Sequence, residues 1–194
     1  MLFANPESLR IPTAAEALPG RDESMPVAAE HFQNGLPIIP PFPDGMQKAI
    51  FGMGCFWGPE EKFSRLNGVT KTEVGYCGGK VAQTNYEEVC TGKTNHAEVV
   101  KIEFDEKIIS YSEIVKKFFD LHDPTTLNRQ GPDIGTQYRS EIFFLDDEQK
   151  KVAEEIKSNT NKKYNGKVIT NISKQKNYCK AEEYHQKYIQ KKGL

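Results

Sequence analysis

The distribution of proline divides the chain into two parts. Eight of the eleven prolines fall within residues 1–47. Proline fixes φ and removes a backbone donor, so regular helices and sheet interiors are disfavoured there. We expect residues 1–47 to form a mostly irregular arm packed on the remainder, with one short helix at Thr13–Leu18. An unfolded arm is the alternative. A catalytic domain should then occupy residues 48–194.

The second part of the chain has the pattern of strands and helices in succession, beginning at Lys48. The predicted core elements are strands at Lys48–Gly54, Val69–Tyr76, His96–Phe104 and Tyr138–Leu145, and helices at Phe56–Leu66 and Ser110–Leu121. The β-α-β-β-α-β order of these core elements predicts an α+β fold of the ferredoxin-like kind, a two-layer sandwich. After the fourth strand we predict a helix at Asp146–Asn159, a fifth strand at Val168–Ile172 and a last helix at Ala181–Lys191.

Composition excludes several classes of function. The 26 basic and 27 acidic residues give a net charge of −1, which disfavours a dedicated nucleic-acid binder. No run approaches the roughly 18 apolar residues that span a bilayer, and the N-terminus has no secretory apolar region. The four cysteines form no C-x-x-C pair, which disfavours a structural zinc site. We therefore expect a cytoplasmic protein with free thiols and no metal.

The expected topology gathers reactive side chains at one sheet edge. In a ferredoxin-like sheet the first strand lies antiparallel between the third and fourth, so its end adjoins their beginnings. Cys55 follows strand one, and Glu98 lies near the start of strand three. Asp133 and Tyr138 lie just before and at strand four, and Tyr86 lies in the connection between strands two and three. A thiol, two carboxylates and two phenols should therefore meet there.

The sequence around Cys55 is the strongest local indication of a reactive residue. It lies at a strand-to-helix turn between Gly54 and the aromatic pair Phe56 and Trp57. The dipole and free N–H groups of a helix N-terminus stabilise a thiolate, so we expect a lowered pKa. The aromatic pair should form an apolar wall beside the sulfur. A buried structural cysteine in a tight turn is the alternative interpretation.

Glu98 and the two tyrosines suit chemistry at a polarised oxygen. A carboxyl in an apolar pocket has a raised pKa and stays protonated near neutral pH. Considered alone, Glu98 could instead be a solvent-exposed residue at the end of a strand. Tyr86 and Tyr138, each considered alone, could be ordinary packing residues. A cysteine hydrolase with a histidine base and a noncatalytic ferredoxin-like interaction module remain alternatives, although no histidine spacing marks a base.

Several motifs in sequence order resemble peptide methionine sulfoxide reductase A. The resemblance covers roughly Lys48 to Tyr188, and residues 16–20 are similar to the arm of longer family members. The motifs are Gly54-Cys-Phe-Trp-Gly58, Tyr86-Glu-Glu-Val-Cys90, His96-Ala-Glu98, Asp123-Pro-Thr125, Arg129-Gln-Gly131, Gly135-Thr-Gln-Tyr138-Arg-Ser140 and Ala181-Glu-Glu-Tyr-His185-Gln186.

The resemblance implies a role for each site residue. Cys55 matches the nucleophile that attacks the sulfur of methionine-(S)-sulfoxide, free or in proteins. Phe56 and Trp57 match residues that hold the substrate methyl group. The groups that bind the sulfoxide oxygen are matched by Tyr86, Glu98 and Tyr138, and Asp133 matches a further polar residue of that site.

The resemblance also implies the course of the reaction. Glu98, as a neutral acid, would help the sulfoxide oxygen to leave as water, and Cys55 would become a sulfenic acid. Thioredoxin is the family's usual final reductant. We therefore expect a monomeric protein-repair enzyme that needs no metal and no organic cofactor.

The regeneration step remains open in the sequence. Many relatives carry resolving cysteines in a glycine-rich tail, and this sequence has no cysteine after Cys179. The candidates are Cys179, which is slightly preferred, Cys77, and an external thiol with no internal resolver. Cys90 follows the apolar Val89 and is expected to be a packing residue. Ile134 replaces a histidine found in many relatives, so that position should not be essential.

Overall fold

A computed structural model describes residues 10–13, 15–18, 20, 23 and 45–194. It shows a mixed α/β structure around a central, mostly antiparallel sheet. The strands are β1 Met46–Met53, β2 Val69–Cys77, β3 Ala97–Asp105, β4 Arg129–Gln130, β5 Asp133–Ile134, β6 Ser140–Phe144, β7 Asn171–Lys174 and β8 Cys179–Lys180. The helices are α1 Trp57–Ser64, α2 Tyr86–Cys90, α3 Tyr111–Leu121, α4 Asp147–Lys163 and α5 Tyr188–Lys192, with a 3-10 helix at Thr136–Tyr138.

The central sheet has the strand order β7-β6-β1-β3-β2-β8. As the sequence predicted for strands one, three and four, β1 lies antiparallel between β3 and β6, where Phe51 pairs with Val100 and Met53 with Ser140. Only the β6–β7 pair is parallel. The end of β1 therefore adjoins the start of β6, which is the arrangement that brings the site residues to one edge.

The helix starts follow local capping chemistry. The predicted capping box of α3 is present, with the Ser110 side chain accepting the Glu113 N–H and the Glu113 carboxylate accepting the Ser110 N–H. Asp146 caps α4 by accepting the Gln149 N–H at 2.8 Å. Each cap satisfies N–H groups that a helix leaves unpaired in its first turn.

Packing on the two faces of the sheet follows the alternation of the strands. Residues of β1, β3 and β6 pack with α1, α3 and α4 on one face, where the Phe51 and Phe118 rings lie 4.9 Å apart. A smaller cluster on the opposite face contains Ile50, Cys77 and Phe143. Tyr76 and Cys77 therefore point to opposite faces, because successive strand residues alternate.

Residues 181–194 differ most from the sequence prediction. A continuous helix at Ala181–Lys191 was expected, whereas the chain forms turns before α5, with Lys187 in the left-handed region at φ 54°. A buried ion pair holds this segment against α1, since the Lys187 Nζ lies 3.0 Å from the Glu60 carboxylate. The Lys187 N–H also donates to Glu60, at 2.8 Å. Tertiary contacts here outweigh helix propensity.

Smaller differences concern short elements. The predicted fifth strand at Val168–Ile172 is shifted to β7, and the prediction omitted α2, β8 and the β4–β5 hairpin. Elements of two to five residues carry too little periodicity to be detected from sequence.

Most of the proline-rich arm lies outside the described residues. Where a helix was predicted at Thr13–Leu18, the described residues show turn hydrogen bonds, in which the Thr13 carbonyl accepts the N–H groups of Glu16 and Ala17. The turn contacts the main body, because the Leu18 N–H donates to the Lys93 carbonyl at 3.3 Å and Lys80 donates to the Pro12 carbonyl at 2.7 Å.

Candidate active site

Cys55 lies in the turn that joins β1 to α1. Gly54 enters this turn at φ +86°, a backbone conformation that residues with a side chain rarely adopt. A Cβ atom at Gly54 would also lie 2.4 Å from the Gln130 Cβ. Glycine is therefore required for the chain to turn here and to place the half-buried Cys55 thiol at the beginning of α1.

We expect Gly54→Ala to lower the free energy of unfolding by about 1–3 kcal/mol, because it adds backbone strain and a steric clash. Urea unfolding followed by circular dichroism measures this change. Gly58→Ala is the matched control, since Gly58 lies in α1 with open space where its Cβ would be, and its effect should stay below about 1 kcal/mol. Equal stability of the two variants would contradict the role assigned to Gly54.

Glu98 is the buried carboxyl of the site. It lies in β3, is 2% exposed, and its Oε2 atom accepts the Phe56 N–H at 3.1 Å. Burial raises the pKa of Glu98 to about 8, the Phe56 hydrogen bond opposes this, and the Asp133 carboxylate adds to it. Glu98 is therefore mostly protonated at neutral pH and can donate a proton.

The expectation of a lowered Cys55 pKa is wrong for the free site. Burial and the neighbouring Glu98 raise the pKa of the Cys55 thiol to about 12, the Trp57 N–H lowers it, and Asp133 raises it further. The helix N-terminus does supply a hydrogen bond, but one N–H does not offset desolvation and two carboxyl groups. Cys55 is therefore a neutral thiol before substrate binds.

Asp133, Tyr86 and Tyr138 are the other polar residues predicted for this site. Tyr86 is the first residue of α2, Asp133 lies in β5, and Tyr138 ends the 3-10 helix. Burial raises the pKa of Tyr86, as do Cys90, Glu98 and Cys55. Burial also raises the pKa of Tyr138, with Glu98 the next largest cause. Both phenols therefore stay protonated and remain hydrogen-bond donors.

An aromatic wall stands beside the thiol. Phe56 is buried, with its ring centroid 5.2 Å from His185 and 5.9 Å from Tyr76. Trp57 stacks on Tyr188 of α5, at a centroid distance of 3.9 Å and an interplanar angle of 10°. The Trp57 indole N–H donates to His185 Nδ1 at 3.1 Å. These contacts fix both predicted wall residues in orientation.

The sequence analysis assigned no individual role to Glu182 or His185, which support the site. Glu182 accepts the Tyr76 hydroxyl and the Tyr86 N–H, each at 2.8 Å. His185 contacts the rings of Phe56, Trp57 and Tyr86. Both lie in the motif at residues 181–186, which the sequence singled out. Because a helix was predicted for that segment, the prediction did not place these two side chains against the site.

The hydrolase arrangement is not formed by the described residues. His96 donates through Nε2 to the Val81 carbonyl at 2.9 Å, and His122 bonds to the Phe118 carbonyl and to Ser140. Burial lowers the pKa of both imidazoles to about 4. Because His185 bonds to Trp57, none of the three histidines in the described part of the chain serves as a base for Cys55.

Two features are absent from the described residues: a membrane-spanning helix and a group of metal-binding side chains. No helix among them is long and apolar enough to cross a membrane. Over the same ranges, no group of three or more histidine, cysteine, aspartate or glutamate side chains is arranged to hold a metal ion.

Comparison with known proteins agrees with this geometry. The family model described as peptide methionine sulfoxide reductase matches residues 47–193. The peptide methionine sulfoxide reductase MsrA of Pelagibacter ubique is 63% identical over 147 residues, which cover 76% of this chain and 100% of that protein.

Solved structures are similar over most of the chain. Methionine sulfoxide reductase A of Corynebacterium diphtheriae has a TM-score of 0.84 and 32% identity, and the match covers 95% of this chain and 92% of that one. Mxr1 of Saccharomyces cerevisiae, in complex with Trx2, has a TM-score of 0.57 and 28% identity, with 78% and 90% covered. The fold, the site and the matched residues together show that this chain belongs to the peptide methionine sulfoxide reductase A family.

Proposed function

We propose that the protein reduces methionine-(S)-sulfoxide, free or in proteins, to methionine through a sulfenic acid on Cys55. The observation that carries this proposal is the pairing of the Cys55 thiol with a buried, protonated carboxyl. The N–H of Phe56, the residue after Cys55, holds the Glu98 carboxyl at 3.1 Å. Membership of the family supports the same activity.

The first half-reaction needs a proton at the sulfoxide oxygen. Glu98 donates its proton to that oxygen, which makes the sulfur electrophilic, and the resulting carboxylate accepts the proton of the Cys55 thiol. Sγ attacks the substrate sulfur and an Sγ–S bond forms; Glu98 returns its proton to the oxygen, so that the S–O bond breaks and the oxygen leaves as water. A water molecule then attacks Sγ, Glu98 accepts its proton, and the Sγ–S bond breaks. Methionine leaves as the thioether and Cys55 is left as the sulfenic acid. Glu98 thus lets a neutral thiol act as a nucleophile.

The surrounding residues account for substrate binding. We assign Phe56 and Trp57 to the methyl group and Tyr86 and Tyr138 to the sulfoxide oxygen, to which their protonated phenols donate. The negative charge of Asp133 raises the pKa of both Cys55 and Glu98. A fixed wall on one side and donors on the other would distinguish the two sulfoxide epimers.

The rate of the first half-reaction should decrease at alkaline pH. Glu98 is protonated below its pKa of about 8 and loses its proton as the pH rises through that value. Because the active form needs both the carboxylic acid and the thiol proton, the rate should fall by about tenfold per pH unit above 8. Rapid-quench measurement of methionine formed in one turnover, between pH 6 and 10, gives this profile. A rate that rises up to pH 9 would show that the thiolate forms without Glu98.

A direct assay separates this function from its alternatives. Purified protein with dithiothreitol is given each methionine sulfoxide epimer separately, and we expect reduction of the S-epimer alone. Reduction of neither epimer would overturn the proposal. Cleavage of a model ester or peptide would favour a cysteine hydrolase, and inactivity in all assays would favour a binding module.

The physiological setting is proposed on more general grounds. Thioredoxin is the reductant that we propose, supported by the complex of yeast Mxr1 with Trx2. Four free cysteines suit a reducing compartment, so we propose a cytoplasmic location. We also propose that the protein is a monomer. We also propose that the core is ferredoxin-like, extended by β7 and β8, and that residues 1–47 form an arm on a catalytic domain of residues 48–194.

A further inference from the structure

Regeneration of the enzyme depends on which thiol reaches the Cys55 sulfenic acid. The two internal candidates from the sequence are both buried. Cys77 belongs to the cluster on the opposite face of the sheet, and its thiol donates to the Lys176 carbonyl. Cys179 is 3% exposed and donates to the Ala82 carbonyl at 2.9 Å. Neither thiol is free to attack without a rearrangement of the core.

Cys90 differs from both, and the expectation that it is a packing residue is wrong. It is exposed at the end of α2, because Val89 rather than Cys90 points into the core. Tyr86 lies four residues earlier in α2, so its side chain and that of Cys90 share one face of the helix. Tyr86 and Val89 pack in one cluster with Phe56 and Trp57, the two residues that follow the nucleophile. Cys90 therefore ends a helix that packs against the Cys55 turn.

We infer that Cys90 is the resolving cysteine of this chain, a role that rests on the proposed function. The Cys90 thiol attacks Sγ of the Cys55 sulfenic acid, an S–S bond forms, and the S–O bond breaks. The oxygen leaves as water with the proton of the Cys90 thiol. A dithiol of the thioredoxin class then reduces the Cys55–Cys90 disulfide and is itself oxidised to a disulfide.

The local structure allows the required approach. A disulfide needs Cα atoms within about 7 Å, so the resolving step requires Cys55 and Cys90 to reach that separation. This helix has five residues and lies outside the sheet, so its last turn can open without breaking strand pairing. Gly92, at φ +73°, follows two residues later and can absorb the change in backbone direction.

The test oxidises the reductant-free protein with one equivalent of methionine-(S)-sulfoxide. Methionine, remaining thiols and disulfide-linked peptides are then measured in the unmodified protein, in Cys90→Ser and in the matched control Cys179→Ala. The unmodified protein and the control should each lose two thiols and yield a Cys55–Cys90 peptide. Cys90→Ser should lose one thiol and keep a sulfenic acid that dimedone traps. Its turnover with thioredoxin should fall at least tenfold relative to its turnover with dithiothreitol.

The outcomes separate the two proposals. Absence of methionine in the unmodified protein would overturn the proposed function itself. Methionine formed together with a disulfide between Cys55 and either Cys77 or Cys179 would overturn the assignment of Cys90 alone. So would loss of a single thiol in the unmodified protein, which would show that an external thiol attacks Cys55 directly.

Discussion

Cys55→Ser should abolish reduction of methionine-(S)-sulfoxide, with a loss of about three orders of magnitude or more in turnover. A serine hydroxyl has nearly the same shape but is a far weaker nucleophile toward sulfur, and it cannot form a sulfenic acid. No other described cysteine can substitute, because the Phe56 N–H holds Glu98 beside Cys55. Steady-state assays with dithiothreitol measure this loss, since an external thiol removes any need for an internal resolver.

Cys77→Ala provides the control for this prediction. Cys77 is buried on the opposite face of the sheet, so its removal tests whether any loss of a cysteine disturbs the fold enough to reduce activity. Circular dichroism should show that both variants are folded, and Cys77→Ala should remain active. Appreciable activity in folded Cys55→Ser would exclude the nucleophilic mechanism.

Glu98→Gln should slow the first half-reaction by about 100-fold to 10,000-fold, the usual contribution of a general acid. The amide keeps an oxygen that can accept the Phe56 N–H and an N–H that can bond to the sulfoxide oxygen. It therefore preserves the hydrogen bonds and removes only the transferable proton. Methionine formation in a single turnover isolates this step from regeneration.

Glu98→Asp is the matched comparison for the same step. Aspartic acid retains the proton but is shorter by one methylene, so the cost should come from distance and should be smaller than that of the amide. Equal rates in the two variants would show that hydrogen bonding alone activates the sulfoxide. The pH profile gives a second check, since Glu98→Gln should lose the decrease in rate above pH 8.

The features predictable from the sequence were those set by clear local patterns. The apolar run of β1, the β-branched residues of β2, the alternation of β3 and the capping box at Ser110 gave the core elements to within a few residues. The antiparallel position of β1 then placed Cys55 and Glu98 at one edge. The sequence therefore located the neighbourhood of the site before any side-chain position was known.

The remaining properties depend on tertiary structure and could not be predicted. The pKa of Cys55 depends on how deeply the turn is buried and on which carboxyl groups face it. The turns at residues 181–187 depend on the Lys187–Glu60 pair, whose partners are 127 positions apart. Cys90 follows Val89 directly, and only the direction of α2 decides which of the two side chains is buried.

The stacking of Trp57 on Tyr188 gives the molecule an internal optical reporter. Trp57 is the only tryptophan in the chain, so all indole fluorescence arises next to the nucleophile. Its ring contacts Tyr188 and His185, both in the C-terminal segment. A change in emission on adding substrate or thioredoxin would therefore report occupancy of the methyl pocket or release of that segment, without any attached dye.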